Sequence, residues 1–269
     1  MIAELILGVA ISLVIGIIAA LVGLGGGFLY VPTLILLFGL DTPTAIGTSL
    51  TIIVFTMLSS SITYARQRRI FYRSAMYLII PSVIFSFIGA SLTAVLPVFV
   101  ITVVFIVVLF LVGLKMIFPG LPQIFPLTFG PCSDEVCVDR FSNRVTNRLY
   151  YAHVLVWGSV AGMMSGLTGV GGGVINVPAL VMMGMPVHFA VATSTFVILF
   201  TAISASLVHI RLGNVSLEYT AVYSVGAIIG AQIGARIAPA IHSDQLKKLV
   251  GVVLLLTSIL VLVREITGM

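Results

Sequence analysis

Residues 23–32 read Gly-Leu-Gly-Gly-Gly-Phe-Leu-Tyr-Val-Pro, and residues 169–178 read Gly-Val-Gly-Gly-Gly-Val-Ile-Asn-Val-Pro. Six of the ten positions are identical between these two stretches, which lie 146 residues apart. Each stretch interrupts apolar runs long enough to cross a bilayer. Glycine-rich backbone at membrane depth is tolerated only where protein or a water-filled cavity surrounds it. Paired interruptions in two matching halves are typical of the binding site of a transporter.

The composition of the chain predicts that it lies in a membrane. The chain is 60% hydrophobic and 8% charged, whereas a soluble domain is about 25% charged. Apolar runs of about 20 residues recur along the whole length. The net charge of +5 does not indicate a nucleic-acid partner, because the basic residues cluster in short loops, as the positive-inside bias produces. The predicted fold is therefore an all-α polytopic membrane protein whose surroundings are the lipid bilayer.

The apolar segments form two series separated by one polar stretch. This division predicts a first repeat at 1–118, a connecting loop at 119–149 and a second repeat at 150–269. The second segment of each series has about 13 residues, which is too few to cross a bilayer, so it is expected to be a half-helix or a re-entrant leg. The predicted segments are 4–22, 27–40, 44–64, 75–95 and 98–118, then 150–167, 173–185, 188–209, 217–237 and 246–263.

The internal repeat extends beyond the glycines. Residues 48–66 align with residues 193–211, with eight identities in 19 positions. Each half contains five apolar segments, or three spans and a hairpin if its first two segments fold back. Because both counts are odd, the second half is expected to enter the membrane upside down. The basic residues favour the same topology, with the central loop in the cytoplasm and only Arg211 and Arg264 outside. The basic residues then placed in the cytoplasm are Arg66, Arg68, Arg69, Arg73, Lys115, Arg140, Arg144, Arg148, Arg236, Lys247 and Lys248.

The glycine stretches are the first candidate for a binding site. Backbone without side chains approaches a ligand closely, and the free N–H groups at a helix start attract anions. Pro32 and Pro178 are expected to kink the short helices that follow. The alternative is close packing of helices through small residues. The predicted substrate-binding residues are Gly25, Gly26, Gly27, Thr48, Ser49, Gly171, Gly172, Gly173, Asn176, Thr193 and Ser194.

Stripes of hydroxyl side chains are the second candidate. In each half, threonines, serines and a terminal arginine fall on one face of a long helix. Hydroxyl groups donate to oxyanions and the arginines attract them at the pore mouth. Bonding between helices and snorkelling of the arginines are the alternatives. The predicted pathway residues are Thr56, Ser59, Arg66, Thr201, Ser204, Arg211 and Gln232.

Other side chains give weaker signals. His153 and His209 are candidates for a proton relay or ordinary helix-end residues. Cys132 and Cys137 are expected to be reduced loop cysteines or a disulfide, since two thiols are too few for a zinc site. All eight acidic residues fall in loops or at segment ends, which disfavours cation transport and a carboxylate-based proton relay. No metal, cofactor or enzymatic motif is predicted.

The motif Gly-x-Gly-Gly-Gly-x-x-x-Val-Pro, followed about 15 residues later by Gly47-Thr48-Ser49 or Ala192-Thr193-Ser194, resembles the sulfite exporter TauE/SafE family of membrane permeases. The resemblance covers nearly the whole chain. It implies movement of sulfite, organosulfonates or related small anions across the prokaryotic plasma membrane. The cysteine-bearing loop is not part of the family pattern.

The residues and the resemblance together predict an exporter of small sulfur-containing anions that works by alternating access and is not an enzyme. Two alternatives stay open, namely proton-coupled uptake of another small organic anion and a non-transporting membrane scaffold. The sequence does not fix the oligomeric state.

Overall fold

The computed structural model describes residues 2–93 and 148–242, together with scattered residues within 103–117 and 245–263. Residues 2–93 and 148–242 form eight α-helices and one short 3-10 helix at Ala238–Ala240. The α-helices are α1 (Ile2–Val22), α2 (Gly27–Phe38), α3 (Thr42–Arg66), α4 (Tyr72–Leu92), α5 (Arg148–Thr168), α6 (Gly173–Met182), α7 (Val187–Arg211) and α8 (Leu217–Ile237).

These bounds confirm the all-helical fold that the apolar segments predicted. Eight of the ten predicted segments coincide with α1 to α8, and the residues described within 103–117 and 245–263 are also helical. Most of the predicted connecting loop lies outside the described residues, as do Cys132 and Cys137. The division of the chain at 118 and 150 therefore stays a prediction.

The length of the helices and their apolar exterior indicate a multi-pass membrane protein. Helices α3, α4, α7 and α8 (extended by the 3-10 turn) are each long and apolar enough to cross a membrane. Large apolar side chains are exposed around the outside, among them Ile6 at 65%, Val156 at 62% and Ile80 at 59%. An apolar exterior of this kind suits contact with lipid acyl chains.

The short helices α2 and α6 begin at glycine turns. They contain 12 and 10 residues, so at about 1.5 Å per residue neither reaches across a hydrocarbon core of about 30 Å. Gly26 and Gly172 cap their N-termini with φ angles of 85° and 72°, a left-handed conformation that glycine adopts without steric cost. Pro32 and Pro178 lie inside these helices, where each removes one backbone hydrogen-bond donor.

The two halves interlock. Helix α1 of the first half packs along α8 of the second, and α5 of the second half packs in the same way along α4 of the first. Small residues allow these close approaches: Gly16 lies against Ala227 and Gly162 against Ser82, with neither glycine leaving room for a side chain. Helices α3 and α7 pack against each other at the centre.

Helices α3 and α7 run antiparallel. Gly47, near the start of α3, lies against His209, near the end of α7. At the other end, Thr193 near the start of α7 bonds to Phe71, just beyond the end of α3. This is the arrangement expected of two repeats of opposite orientation, although their orientation relative to a membrane stays a prediction.

Candidate functional site

The two glycine turns meet at the centre of the molecule. A Cβ placed on Gly25 would lie 3.6 Å from the Cα of Gly171, and a Cβ on Gly171 would lie 3.6 Å from the Cα of Gly25. The two residues have φ angles of 93° and 91°. The side chains of Ile53 and Ile198 flank this contact, one from α3 and one from α7. The structure therefore brings together the two motifs that the sequence places 146 residues apart.

Each glycine turn is bonded to the opposite half of the molecule by one serine. The Ser49 hydroxyl donates to the carbonyl oxygen of Gly169 at 3.1 Å. The Ser194 hydroxyl donates to the carbonyl oxygen of Gly23 at 3.0 Å. All four residues are buried, so both hydrogen bonds are shielded from water. Loss of either bond would leave a buried carbonyl group unpaired, which costs folding free energy. We call these two hydrogen bonds the serine clasps.

The first residues of the short helices sit against the same turns. A Cβ on Gly27 would overlap the carbonyl oxygen of Gly169 and lie 2.7 Å from the Cα of Val170. A Cβ on Gly173 would lie 2.7 Å from the Cα of Leu24. Because the gap does not accept even a methyl group, the turns are closed on each other. A ligand could enter between them only if they separate.

The predicted threonines hold neighbouring loops. The Thr48 hydroxyl accepts a hydrogen bond from the backbone N–H of Ser216 at 3.0 Å. The Thr193 hydroxyl accepts one from the N–H of Phe71, also at 3.0 Å. Both threonines are fully buried. Thr48 therefore holds the start of α3 to the loop before α8, and Thr193 holds the start of α7 to the loop before α4.

The predicted pathway serines join helices. Ser59 of α3 donates to the carbonyl of Ile228 at 2.9 Å, and Ser204 of α7 donates to the carbonyl of Val83 at 3.0 Å. In this conformation these two serines therefore form hydrogen bonds between helices, which was the alternative interpretation of the hydroxyl stripes.

Of the remaining predicted pathway residues, two are buried and three are exposed. Thr56 and Thr201 are buried and donate to carbonyls of their own helices. Arg66, Arg211 and Gln232 are exposed. A pathway role for these five residues stays a prediction.

The buried part of the site carries no formal charge. The buried polar side chains that the structure describes are serine, threonine, asparagine and histidine. Within the described ranges, no group of three or more His, Cys, Asp or Glu side chains comes together. A bound anion would therefore have to be stabilised by hydroxyl, amide and backbone N–H groups.

Two residues beside the turns were missed by sequence reasoning. Tyr30 and Ser165 are both fully buried there. Tyr30 of the first repeat matches Asn176 of the second, and Ser165 of the second repeat matches Ala19 of the first. Comparing the two repeats for differences, as well as for identities, would have found them.

The comparison with known families decides the identity. A family model described as sulfite exporter TauE/SafE matches residues 8–261. The chain belongs to the sulfite exporter TauE/SafE family. The family resemblance stated from the two glycine motifs is thereby confirmed.

Two relatives over nearly the whole chain are named as probable membrane transporters. The chain is 30% identical over 260 residues to the probable membrane transporter protein YunE of Bacillus subtilis, covering 92% of this chain and 93% of that one. It is 26% identical over 255 residues to the probable membrane transporter protein MJ0441 of Methanocaldococcus jannaschii, covering 89% and 88%. A shorter match, 30% over 105 residues, joins it to the sulfite exporter TauE/SafE family protein 6 of Arabidopsis thaliana, covering 37% and 24%.

No solved structure matches the chain. The family is one of membrane transporters, which agrees with the expectation of a non-enzymatic protein.

Proposed function

We propose that this TauE/SafE protein exports small sulfur-containing anions, such as sulfite or organosulfonates, across the prokaryotic plasma membrane by alternating access. The observation that carries the proposal is the meeting of the two glycine turns, closed by the reciprocal serine clasps. The family description supports the substrate class. In this conformation the site is occluded, and transport requires the turns to part.

Parting of the turns would expose groups suited to an anion. The first N–H groups of α2 and α6 have no acceptor within their own helices. Each helix start also carries about half a positive charge from the aligned peptide dipoles. Breaking the serine clasps would free two hydroxyl donors beside these helix starts. Hydroxyl and backbone N–H groups would then replace the water around one oxyanion.

The membrane potential would drive export. An anion leaving a cell whose interior is negative gains about 2.3 kcal/mol per charge per 100 mV, and a sulfite dianion gains about twice that. No coupling ion is required for movement in this direction. The proposal includes the topology predicted from the basic residues, with the loop at 119–149 in the cytoplasm and the two repeats in opposite orientations.

The test is flux of sulfite and sulfonate from proteoliposomes under an imposed voltage. Replacing Thr48 and Thr193 by valine keeps their shape but removes the hydroxyls that hold the loops at Ser216 and Phe71. We expect the double variant to lose at least about tenfold in flux, since two part-buried backbone amides lose the acceptors that hold their loops in place.

The matched control is Thr195→Val. Thr195 is equally buried in α7, and among the described residues its hydroxyl donates to the carbonyl of Val191 in its own helix. The flux of this variant should therefore stay near that of the wild type. Unchanged flux in the Thr48→Val, Thr193→Val variant would show that these threonines have no part in the transport site. A wild-type protein that moves none of these anions would contradict the proposed substrate class.

Proton-coupled uptake of another small anion is the second candidate. It is favoured by His209, a titratable side chain that is fully buried in α7, where the first repeat has Tyr64. Flux that follows the voltage and persists without a pH gradient would exclude this alternative. Flux that requires the pH gradient and is lost in His209→Gln would replace the export proposal.

A further inference from the structure

The two glycine turns differ in the side chain that covers them. In the first repeat, Tyr30 lies four residues after Gly26, and its ring reaches to 2.9 Å from the position of a Cβ on that glycine. The methyl group of Ala19 lies 3.0 Å from the same position. The Tyr30 hydroxyl lies 3.4 Å from that of Thr56. The first turn is therefore covered by a ring and a methyl group.

In the second repeat, asparagine takes the place of this tyrosine. Asn176 lies four residues after Gly172, and its backbone N–H donates to the carbonyl of that glycine at 3.1 Å. Residues four apart share a helix face, and helical side chains lean toward the N-terminus. The Asn176 side chain therefore points back over the second turn. It is fully buried, and neither its Nδ2 nor its Oδ1 has a hydrogen-bond partner among the described residues.

A second unpaired polar group lies beside the same turn. The Cβ of Ser165 lies 3.3 Å from the position of a Cβ on Gly172. Its hydroxyl is fully buried and also has no partner among the described residues. The matching residue of the first repeat is Ala19, which has no polar atom. Buried polar groups are almost always paired, so two unpaired groups at one helix start point to a ligand that supplies the missing partner.

The geometry points to an anion subsite formed by Asn176 and Ser165 over the second turn, with no equivalent over the first. This inference rests on the proposed function and narrows it to one oxyanion group held on one side of the pseudo-symmetric site. The amide offers two N–H donors and the hydroxyl offers one. Beside the start of α6, three donors match the oxygen atoms of a sulfite or sulfonate group.

The test is the half-saturating anion concentration, measured with sulfite and with a sulfonate at fixed voltage in proteoliposomes. Asn176→Asp keeps the side-chain shape but replaces the two donors by a charged acceptor. We expect it to raise the half-saturating concentration at least about tenfold, as befits loss of hydrogen bonds to a charged ligand. Ser165→Ala installs the residue of the first repeat and should raise the same quantity by about three- to tenfold.

Tyr30→Phe is the matched control in the first repeat. It should leave the half-saturating concentration within about twofold of the wild-type value, because no anion group is bound there. An unchanged half-saturating concentration in both Asn176→Asp and Ser165→Ala, with wild-type flux present, would overturn the subsite and leave the proposed function standing. Absence of flux in the wild type itself would overturn both.

Binding to the purified protein separates a loss of affinity from a loss of folding. Sulfonate should raise the thermal midpoint of the wild type and of Tyr30→Phe, but not that of Asn176→Asp. A folded Asn176→Asp variant that sulfonate protects as well as the wild type would also overturn the subsite. If Asn176→Asp does not fold, the Ser165→Ala measurement decides by itself.

Discussion

The first and second glycine turns share a backbone and differ in side chains. Their matched glycines have φ angles of 70° and 73° at Gly23 and Gly169, and 93° and 91° at Gly25 and Gly171. Yet the ring of Tyr30 lies against the first turn, whereas the matching residue of the second repeat is the buried Asn176. Backbone symmetry thus provides two equivalent closing surfaces, and the proposed anion subsite depends on the side chains that differ between them.

A similar division is found among the hydrogen bonds around the turns. The serine clasps and the threonine bonds are reciprocal in both partners and distance. By contrast, Tyr64 donates to the carbonyl of Ala20 at 2.8 Å, and His209 replaces it in the second repeat. The serine and threonine bonds at the starts of the central helices are therefore duplicated, whereas the residues at positions 64 and 209 differ.

The largest effect is expected where a side chain would enter the contact between the turns. Gly27→Ala and Gly173→Ala place a methyl group against backbone atoms of the opposite turn, so each should cost at least about 3 kcal/mol or prevent folding. Thermal unfolding of purified protein measures this. Gly39→Ala is the control, because a Cβ on Gly39 would have no other atom within 4 Å. Only the left-handed φ of 66° opposes a side chain there, and this should cost about 1 kcal/mol of stability. A loss at Gly27 no larger than that at Gly39 would show that the turns are not in contact.

The serine clasps should give a smaller and symmetric effect. Ser49→Ala and Ser194→Ala each leave one buried carbonyl unpaired, at a cost of about 1–3 kcal/mol. Because the two bonds are equivalent, the two losses should agree within about 0.5 kcal/mol. Denaturation of the two single variants under the same conditions measures this. Losses that differ by more than about 2 kcal/mol would break the symmetry that the structure shows.

The smallest effect is expected at the hydroxyl of Tyr30. At 3.4 Å its contact with Thr56 is long, and Thr56 also donates to the carbonyl of Ile52 at 2.9 Å. Tyr30→Phe should therefore change stability by less than about 1 kcal/mol. A larger loss in thermal unfolding would mean that the phenol hydroxyl has a stronger role at the first turn than its geometry indicates.

Much of the fold follows from local sequence. The length of each apolar segment predicted the long helices and the two short ones, because this feature acts within one segment. The serine clasps were not predictable, since Ser49 and Gly169 are 120 residues apart and nothing local pairs them. The unpaired state of Ser165 was hidden for the same reason, because burial depends on how α5 packs against the second turn.

The most direct test of the closing turns is thiol accessibility at Ser49→Cys, in a background with Cys132→Ser and Cys137→Ser. Ser49 is fully buried at the clasp, and Met57 of the same helix is equally buried in the apolar core. If the turns part to pass an anion, a small polar thiol reagent should modify Ser49→Cys at least about tenfold faster than Met57→Cys, through a minor open state. A sulfonate substrate should change the rate at Ser49→Cys alone. Equal and negligible modification at both positions would contradict a site that opens between the two glycine turns.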